Sequence, residues 1–290
     1  MSKNNDAGIG LMIGFCLFMV ICDSIAKFMS KEIDVLVIVW YRYVFHTIGF
    51  VSFAAVIRLR KPEERLVVGS HKLQFARGLL LILSTMSFFY AIAQMPLAES
   101  LALLYIFPIL SIVFSIYFLK EKINGKQWFA ILLGFVGIVI VLQPKGEVFN
   151  VGSYYALFSG LLMAGYTVLT KAVSSDSHPV SSSIYTGCIG ILLIPLVPGF
   201  TFPRIHLTHI LLAAAMGFSA AIGHYFLFSS LTKSPASVVA PFAYLEIVFA
   251  SIAGLILFDD MLSLSLIIGI ALICLCGSAL ARIDNTVSDG

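Results

Sequence analysis

The sequence predicts an all-α polytopic membrane protein with ten transmembrane helices, arranged as two inverted five-helix repeats. Three observations lead to this fold class. The 290 residues are 60% hydrophobic and 11% charged, whereas a soluble domain carries about a quarter charged residues. The apolar runs suit helices that cross a bilayer, which takes about 20 residues each, and they lack the alternation of membrane β-strands. One hydrophobic segment also returns in the second half of the chain.

The spans follow from apolar runs that are separated by polar turns. In chain order we place them near 8–29, 35–57, 74–95, 98–119, 126–143, 152–172, 180–198, 208–230, 237–257 and 263–281. The joints at 95–97 and 233–235 are so short that each must connect an antiparallel pair of helices. The first span lacks a small-residue cleavage site, so we expect an uncleaved membrane helix and not a signal peptide.

The repeated segment is PLAESLALLYIFPILSIVFSIYFLKE at 96–121, which matches PASVVAPFAYLEIVFASIAGLILFDD at 235–260. Both copies share a proline ahead of the helix, a tyrosine inside it and an acid at its end, in the pairs Pro96 and Pro235, Tyr105 and Tyr244, and Glu121 and Asp260. A second offset aligns Asp23, Lys27 and Tyr41 with Thr167, Lys171 and Tyr185. We therefore expect one five-helix repeat at 8–143 and another at 152–281.

Five spans per repeat is an odd number, so the two copies must cross the membrane in opposite directions. Inverted repeats underlie many secondary transporters, because exchanging the conformations of two related halves opens one face and closes the other. The sequence therefore predicts a carrier that works by alternating access. A channel is the alternative, but it would need a polar ring or a filter loop, and neither pattern is visible.

The basic residues set the orientation. They concentrate in the loops after spans two and four, as Arg58, Arg60, Lys61, Arg65, Lys72, Lys120, Lys122 and Lys126. The alternate loops carry few, namely Lys31, Lys145 and Arg204. The positive-inside rule places the basic loops and both termini in the cytoplasm. We expect a multi-pass protein of the inner (plasma) membrane, whose net charge of +3 reflects topology and not nucleic-acid binding.

Several stretches are similar to a known family. The chain resembles the EamA-type drug/metabolite transporter superfamily in YAIAQMPLAESLALLYIFPIL, LKEKINGKQWFAILLGFVGIVIVLQP and PFAYLEIVFASIAGLILFDD. The blocks WYRY, ARGLLL and PFAYLE are similar to the branch that contains bacterial riboflavin and S-adenosylmethionine transporters. The resemblance implies a ten-helix inner-membrane carrier whose central cavity is lined by helices one, three, four, six, eight and nine.

Ionisable groups inside apolar spans are candidate functional residues, because each is costly in hydrocarbon unless it faces protein or water. Glu246 in span nine can bind a cationic or hydrogen-bonding substrate or exchange a proton; alternatively it is a buried carboxyl that bonds a neighbouring helix. His224 in span eight can relay protons, or it packs as a hydrogen-bonded histidine. Tyr244 and Glu246 are two residues apart, so they face one cavity only with local unwinding, which Pro241 would permit.

A charge cluster is expected near the outer mouth. Asp23 and Lys27 are four residues apart with the acid first, the favourable order for an ion pair on a helix, and we expect Arg42 at a similar depth near the start of span two. This cluster can form a gate or recognise an anionic group; the alternative is a helix-end pair with Lys27 extended to the interface. We expect the same snorkelling for Arg77, and for Glu99 a favourable interaction with the helix dipole.

The aromatic residues indicate the kind of substrate. Tyr90, Tyr105 and Tyr244 lie in spans that the resemblance assigns to the cavity, where rings can stack on a flat substrate and hydroxyls can bond it. The expected substrate is a small organic metabolite that is partly apolar or planar, such as an aromatic amino acid, a flavin or a nucleoside-like compound. Protons are one candidate coupling ion, and the sequence leaves a homodimer open.

The sequence predicts no cofactor, no metal site and no catalytic residue. The five cysteines lie within apolar spans, form no CxxC pair and have no His at metal-ligand spacing. A phosphate-binding loop is absent from the sequence, which argues against ATP-driven transport by this chain. The alternative function is an intramembrane enzyme based on Ser219 and His224. Its GxSxG motif lacks the closing glycine, and residues five apart on a helix point different ways.

Overall fold

A computed structural model describes residues 3–118, 125–142, 150–173, 176–202, 206–234 and 242–275. Within these ranges the chain forms α-helices joined by turns, without β-strands. In order, the helices are α1 (Lys3–Met29), α2 (Val35–Arg60), α3 (His71–Gln94), α4 (Leu97–Leu104), α5 (Phe107–Phe118), α6 (Gly125–Leu142), α7 (Val151–Val173), α8 (Pro179–Leu193), α9 (Leu207–Lys233), α10 (Leu245–Phe258) and α11 (Leu264–Leu275). A short 3-10 helix, Ile194–Leu196, extends α8.

Six helices in the described ranges are long and apolar enough to cross a membrane, namely α1, α2, α3, α7, α8 with its 3-10 extension, and α9. Four shorter apolar helices fall on predicted spans four, five, nine and ten, at Leu97–Ser111, Leu132–Val141, Leu245–Phe258 and Leu264–Leu275. The chain is therefore an all-helical, multi-pass membrane protein. Several residues used in the sequence analysis lie outside the described part: Lys120, Glu121, Lys122, Lys145, Arg204, Pro235 and Pro241.

Local sequence determines several helix ends. The Asp34 carboxylate accepts a 2.8 Å hydrogen bond from a first-turn N–H of α2, as an N-cap residue does. Pro96 separates α3 from α4 in the predicted short joint. Asp259 adopts the left-handed conformation, with φ of 54°, and ends α10. The start of α4 and the end of α10 meet, because the N–H of Leu97 donates to Asp260 at 3.1 Å.

The first and second halves of the chain pack against each other. Helices α1 and α2 contact α9, α2 and α3 contact α8, and α3 contacts α7. Small residues allow the closest approaches. A Cβ at position 269 on α11 would lie 2.8 Å from the carbonyl oxygen of Gly137 on α6, and a side chain at Gly14 would meet the ring of Phe226 on α9. The buried ionisable groups lie along the seam between the halves.

Two helix breaks interrupt the apolar segments. Tyr105 and Ile106 form a turn between α4 and α5, because Pro108 cannot donate a backbone hydrogen bond and disfavours helical geometry just before it. Tyr244 forms a second turn, ahead of α10. Tyr105 lies about 12 Å along the helix from the start of α4, near the middle of a hydrocarbon core of about 30 Å. The breaks are therefore inside the bundle.

Candidate functional site

The two helix breaks contact each other through their tyrosines. The ring centroids of Tyr105 and Tyr244 lie 5.2 Å apart. The Tyr105 hydroxyl lies 2.8 Å from the carbonyl oxygen of Ala243 and 3.0 Å from Oε2 of Glu246. The Sγ of Cys16 on α1 lies 3.5 Å from the same Ala243 carbonyl. Helices α1, α4 and α10 thus meet where three of the predicted site residues, Tyr105, Tyr244 and Glu246, come together.

A row of buried charged groups extends from this contact. Glu246, in the first turn of α10, interacts electrostatically with Asp23 of α1, and Asp23 interacts with Arg42 of α2. All three residues are buried. We call Asp23, Arg42, Tyr105, Tyr244 and Glu246 the central cluster. Ionisable groups at this depth are stable when they face one another, water or a ligand, so the cluster has the chemistry of a polar binding site inside an apolar bundle.

Aromatic rings hold the Arg42 guanidinium. Its Cζ lies 5.5 Å from the ring centroid of Tyr43 and 5.6 Å from that of Phe89, within the range of cation–π attraction. Its Nη1 donates to Oγ1 of Thr85 at 3.2 Å, and Thr85 also bonds the Tyr43 hydroxyl at 3.1 Å. The guanidinium is therefore fixed between α2 and α3.

His224 contacts a second histidine, His46, which is one of the candidate ionisable groups inside the spans but had no predicted role. The rings of His46 and His224 are perpendicular, with centroids 5.6 Å apart. Phe50 packs on His46, with centroids 4.7 Å apart. The signal for His46 is present in the sequence, because it follows Arg42 by four residues and thus shares its helix face. This histidine pair lies next to the central cluster, because both rings interact electrostatically with Arg42.

Lys27 pairs with Asp260 and not with Asp23, the predicted partner. Its Nζ lies 3.1 Å from Oδ2 of Asp260 and 2.9 Å from the carbonyl oxygen of Met95. The reason is position: Lys27 is in the last turn of α1, where its long side chain reaches neighbouring helix ends, whereas Asp23 lies one turn deeper and interacts with Arg42. The charge cluster predicted from Asp23, Lys27 and Arg42 is therefore divided into two separate groups.

A cavity of about 310 Å³ opens beside the Lys27–Asp260 pair. Its lining includes Lys27, Ser30, Lys31, Gln94, Met95, Pro96 and Asp260. Asp260 aligns with Glu121 in the repeated segment, and no role was predicted for it. The repeat itself contains the signal, because a lysine and an acid recur at corresponding helix ends in both halves.

Arg77 is buried and does not snorkel to the interface as predicted. Its Nε donates to Oγ1 of Thr170 at 2.8 Å, its Nη2 to the Tyr166 hydroxyl at 2.9 Å, and its Nη1 to Oε1 of Gln74 at 3.1 Å. Gln74 in turn donates to Oγ of Ser182 at 2.9 Å. These side chains supply acceptors inside the protein, so the guanidinium has no need to reach water. The result is a polar connection from α3 to α7 and α8.

The remaining candidates contact other groups. Tyr90 on α3 stacks on Tyr155 of α7, with ring centroids 5.4 Å apart. Ser219, the candidate nucleophile of an intramembrane enzyme, donates to the carbonyl oxygen of Phe18 at 2.8 Å. The Ser219 hydroxyl therefore connects α9 to α1.

In the part of the chain that the structure describes, no group of three His, Cys, Asp or Glu side chains is placed to hold a metal ion.

Buried charges and paired helix breaks within an apolar helical bundle define the chain as a multi-pass membrane protein with an internal polar site. Its family follows from comparison with known proteins. The chain belongs to the EamA-like transporter family, which matches residues 6–143 and 150–281. This match confirms the resemblance found in the sequence.

Named relatives carry transport functions. The chain is 22% identical over 259 residues to the S-adenosylmethionine uptake transporter of Rickettsia bellii (strain RML369-C), covering 89% of this chain and 87% of that protein. It is 24% identical over 263 residues to the riboflavin transporter of Vibrio cholerae serotype O1, covering 88% and 86%. A solved crystal structure matches with a TM-score of 0.66 over 97% of this chain and 99% of that chain, at 14% identity, which is a likeness of fold.

Proposed function

We propose that this protein is a secondary active transporter that moves a small organic metabolite across the inner membrane by alternating access. The observation that carries the proposal is the contact between the helix breaks at Tyr105 and Tyr244, beside the buried carboxylate of Glu246. Discontinuous helices at the interface of two repeats form the substrate and ion sites of many secondary transporters. The two tyrosines hold equivalent positions in the repeated sequence segment, as inverted repeats would require.

The proposed architecture is ten transmembrane helices in two inverted five-helix repeats, at 8–143 and 152–281. The two matches of one family, to 6–143 and 150–281, support a duplication. The basic loops after spans two and four favour cytoplasmic termini. In that orientation the Lys27–Asp260 pair is periplasmic, because it lies at the far end of α1, and Arg77 is near the cytoplasmic side, seven residues into α3 (His71–Gln94).

The central cluster is the proposed substrate site. The rings of Tyr105 and Tyr244 offer faces for a planar group, and Glu246 offers a carboxylate for a cationic or hydrogen-bonding group. We also assign His224 on α9 and Tyr90 on α3 to the proposed substrate site. The substrate class is a partly apolar or planar metabolite, such as an aromatic amino acid, a flavin or a nucleoside-like compound. S-adenosylmethionine and riboflavin, the compounds for which two relatives are named, fall within that class.

The Lys27–Asp260 pair is the proposed periplasmic gate. It joins the ends of α1 and α10 and, through Met95, the hairpin between α3 and α4. Opening toward the periplasm must separate these ends, and the ion pair must then break. Glu246 is the proposed coupling residue, because a buried carboxyl can carry a proton in one conformation and release it in the other.

The proposal is tested by counterflow in vesicles that contain the purified protein. Labelled S-adenosylmethionine, riboflavin and aromatic amino acids are compared, each with and without a proton gradient. Glu246→Gln should abolish gradient-driven uptake and spare exchange, whereas Glu64→Gln, the same substitution in the loop after α2, should retain driven uptake. Driven uptake that survives Glu246→Gln removes Glu246 from coupling. No counterflow of any organic solute, with a hydrolytic activity lost in Ser219→Ala, would favour the intramembrane enzyme.

A further inference from the structure

Two arginines are buried in the bundle, and their hydrogen bonding differs. Arg77 uses all three guanidinium nitrogens, on Thr170, Tyr166 and Gln74. Arg42 donates from Nη1 to Thr85 and also interacts with the Cys22 thiol and the Tyr43 hydroxyl, while its Nε is buried without a hydrogen-bond partner among the described residues. The same chemical group is thus saturated on α3 and unsaturated on α2.

Two other side-chain atoms in the described ranges share this property. Nδ1 of His46, one turn along α2, and Oγ of Ser24, beside Asp23 on α1, are also buried without partners within the described ranges. Arg42, His46 and Ser24 are each more than nine-tenths buried. A buried polar atom without a partner lowers stability, and lipid offers it no water in exchange. Arg42 and His46 share one face of α2, so their unpaired atoms indicate a single site where a ligand supplies the missing hydrogen bonds.

The chemistry of the unpaired atoms points to an anion. A guanidinium presents a planar fork of N–H donors that matches a carboxylate with two parallel bonds. The rings of Tyr43 and Phe89 hold the guanidinium plane in advance, which lowers the cost of ordering it on binding. Asp23 interacts with Arg42 electrostatically, yet no hydrogen bond joins their side chains in the described structure. The Arg42 guanidinium therefore interacts electrostatically with the Asp23 carboxylate, but no carboxylate is hydrogen-bonded to it in the described structure.

We propose that Arg42 recognises a carboxylate of the substrate, with Asp23 as its internal competitor, so that the transported metabolite is an amino acid or another carboxylate. This inference rests on the proposed transport function and narrows its substrate class. The charges of both Arg42 and Glu246 act on one side chain, Cys22 of α1, so the positive and negative poles lie close together. Such a pair of poles is complementary to a zwitterion, with the carboxylate at Arg42 and the amino group at Glu246.

Matched ligands that differ only in the carboxylate test the proposal. Binding to purified protein in nanodiscs is titrated with phenylalanine and phenethylamine, and with S-adenosylmethionine and its decarboxylated form. Wild-type protein should prefer the carboxylate in at least one pair by about 10- to 100-fold, the range for a hydrogen bond to a charged group. Arg42→Gln should abolish this preference. Arg77→Gln is the matched control, since it removes the other buried arginine and should leave the preference unchanged.

Two further variants keep the test decisive if Arg42→Gln does not fold. Arg42→Lys retains the charge without the fork and should reduce the preference. Asp23→Asn removes the competitor and should tighten carboxylate binding while amine binding does not tighten. An equal preference in wild type and either Arg42 variant overturns the proposal, as does unchanged or weaker carboxylate binding in Asp23→Asn.

The outcomes separate this inference from the transport function. Counterflow of a solute without any carboxylate preference in wild type overturns only the role of Arg42. Binding of neither member of any pair, together with no counterflow of any organic solute, overturns the proposed transport function as well.

Discussion

Asp260→Asn should shift the protein toward a state that is open to the periplasm. In the structure Oδ2 of Asp260 accepts from Nζ of Lys27 and from the N–H of Leu97, each at 3.1 Å. An asparagine oxygen can still accept from Leu97, so the substitution removes mainly the charged bond to Lys27. If this bond holds the gate closed, its loss should raise the open fraction without unfolding the bundle.

The size of the effect follows from the geometry. Two unit charges at 3.1 Å attract by about 5 kcal/mol at an effective dielectric constant of about 20, before desolvation is subtracted. A hydrogen bond to a charged group contributes about 1.5–3 kcal/mol net. The side chains are 12% and 14% exposed, and this partial contact with water places the expected value at the lower end. About 1.5 kcal/mol changes the ratio of open to closed protein roughly tenfold.

Cys22 provides the assay. It is fully buried on α1, beside Asp23 of the central cluster. In protein whose other four cysteines are replaced by serine, a membrane-impermeant maleimide added from the periplasmic side should label Cys22 about tenfold faster in Asp260→Asn than in the parent. The exchanged pair Lys27→Asp with Asp260→Lys should restore part of the slow labelling, because it restores the ion pair but not the bonds to Leu97 and Met95. Equal labelling rates in the parent and Asp260→Asn would show that the ion pair is not a gate.

Other contacts give three further predictions. Tyr105→Phe removes the hydroxyl that bonds Glu246 and should weaken substrate binding about tenfold in titrations. Gly269→Leu should lower the free energy of unfolding by about 1–3 kcal/mol in detergent, because its Cβ would lie 2.8 Å from a carbonyl of α6. In the loop after α2, a hydrogen bond from His178 lowers the pKa of Glu64. The stability from this carboxylate is present above its ordinary pKa and is lost as pH falls through the lowered pKa, so the unfolding temperatures of wild type and Glu64→Gln should converge in acid.

The membrane helices could be predicted because a span depends on local apolar content. Helix α2 begins at the predicted residue, Val35. Both limits of α7 (Val151–Val173) lie within one residue of the predicted span. The break at Tyr105 was not predicted, since span four was drawn as one continuous helix. Hydropathy does not report backbone geometry, and the signal lay instead in Pro108, whose effect is on hydrogen bonding.

Partners that are distant in sequence could not be predicted from local rules. The favourable spacing on α1 pointed to Asp23 as the partner of Lys27, but the fold supplies Asp260, which is 233 residues away. Arg77 was expected at the interface because it lies near the predicted cytoplasmic start of span three. Its acceptors are neutral side chains, among them Thr170 on α7. Neutral acceptors leave no charge pattern by which a sequence analysis could find them.

Hydrogen-bond saturation separates the residues that hold the bundle together from those that we assign to the substrate. Ser84 and Ser159 bond each other's hydroxyls at 2.9 Å and join α3 to α7, as the saturated Arg77 also does. Arg42 and His46 instead keep buried atoms that lack partners among the described residues, at a cost of about 1–3 kcal/mol each.

Two independent features therefore select the same part of the molecule. The helix breaks depend on backbone geometry, and the unpaired atoms depend on side-chain chemistry, yet Asp23 of α1 interacts electrostatically with a residue from each, namely Glu246 and Arg42. If these groups served only the stability of the bundle, other side chains would satisfy their hydrogen bonds, as they do for Arg77. Because they do not, we assign Arg42 to the proposed substrate site and Arg77 to the connection between α3, α7 and α8.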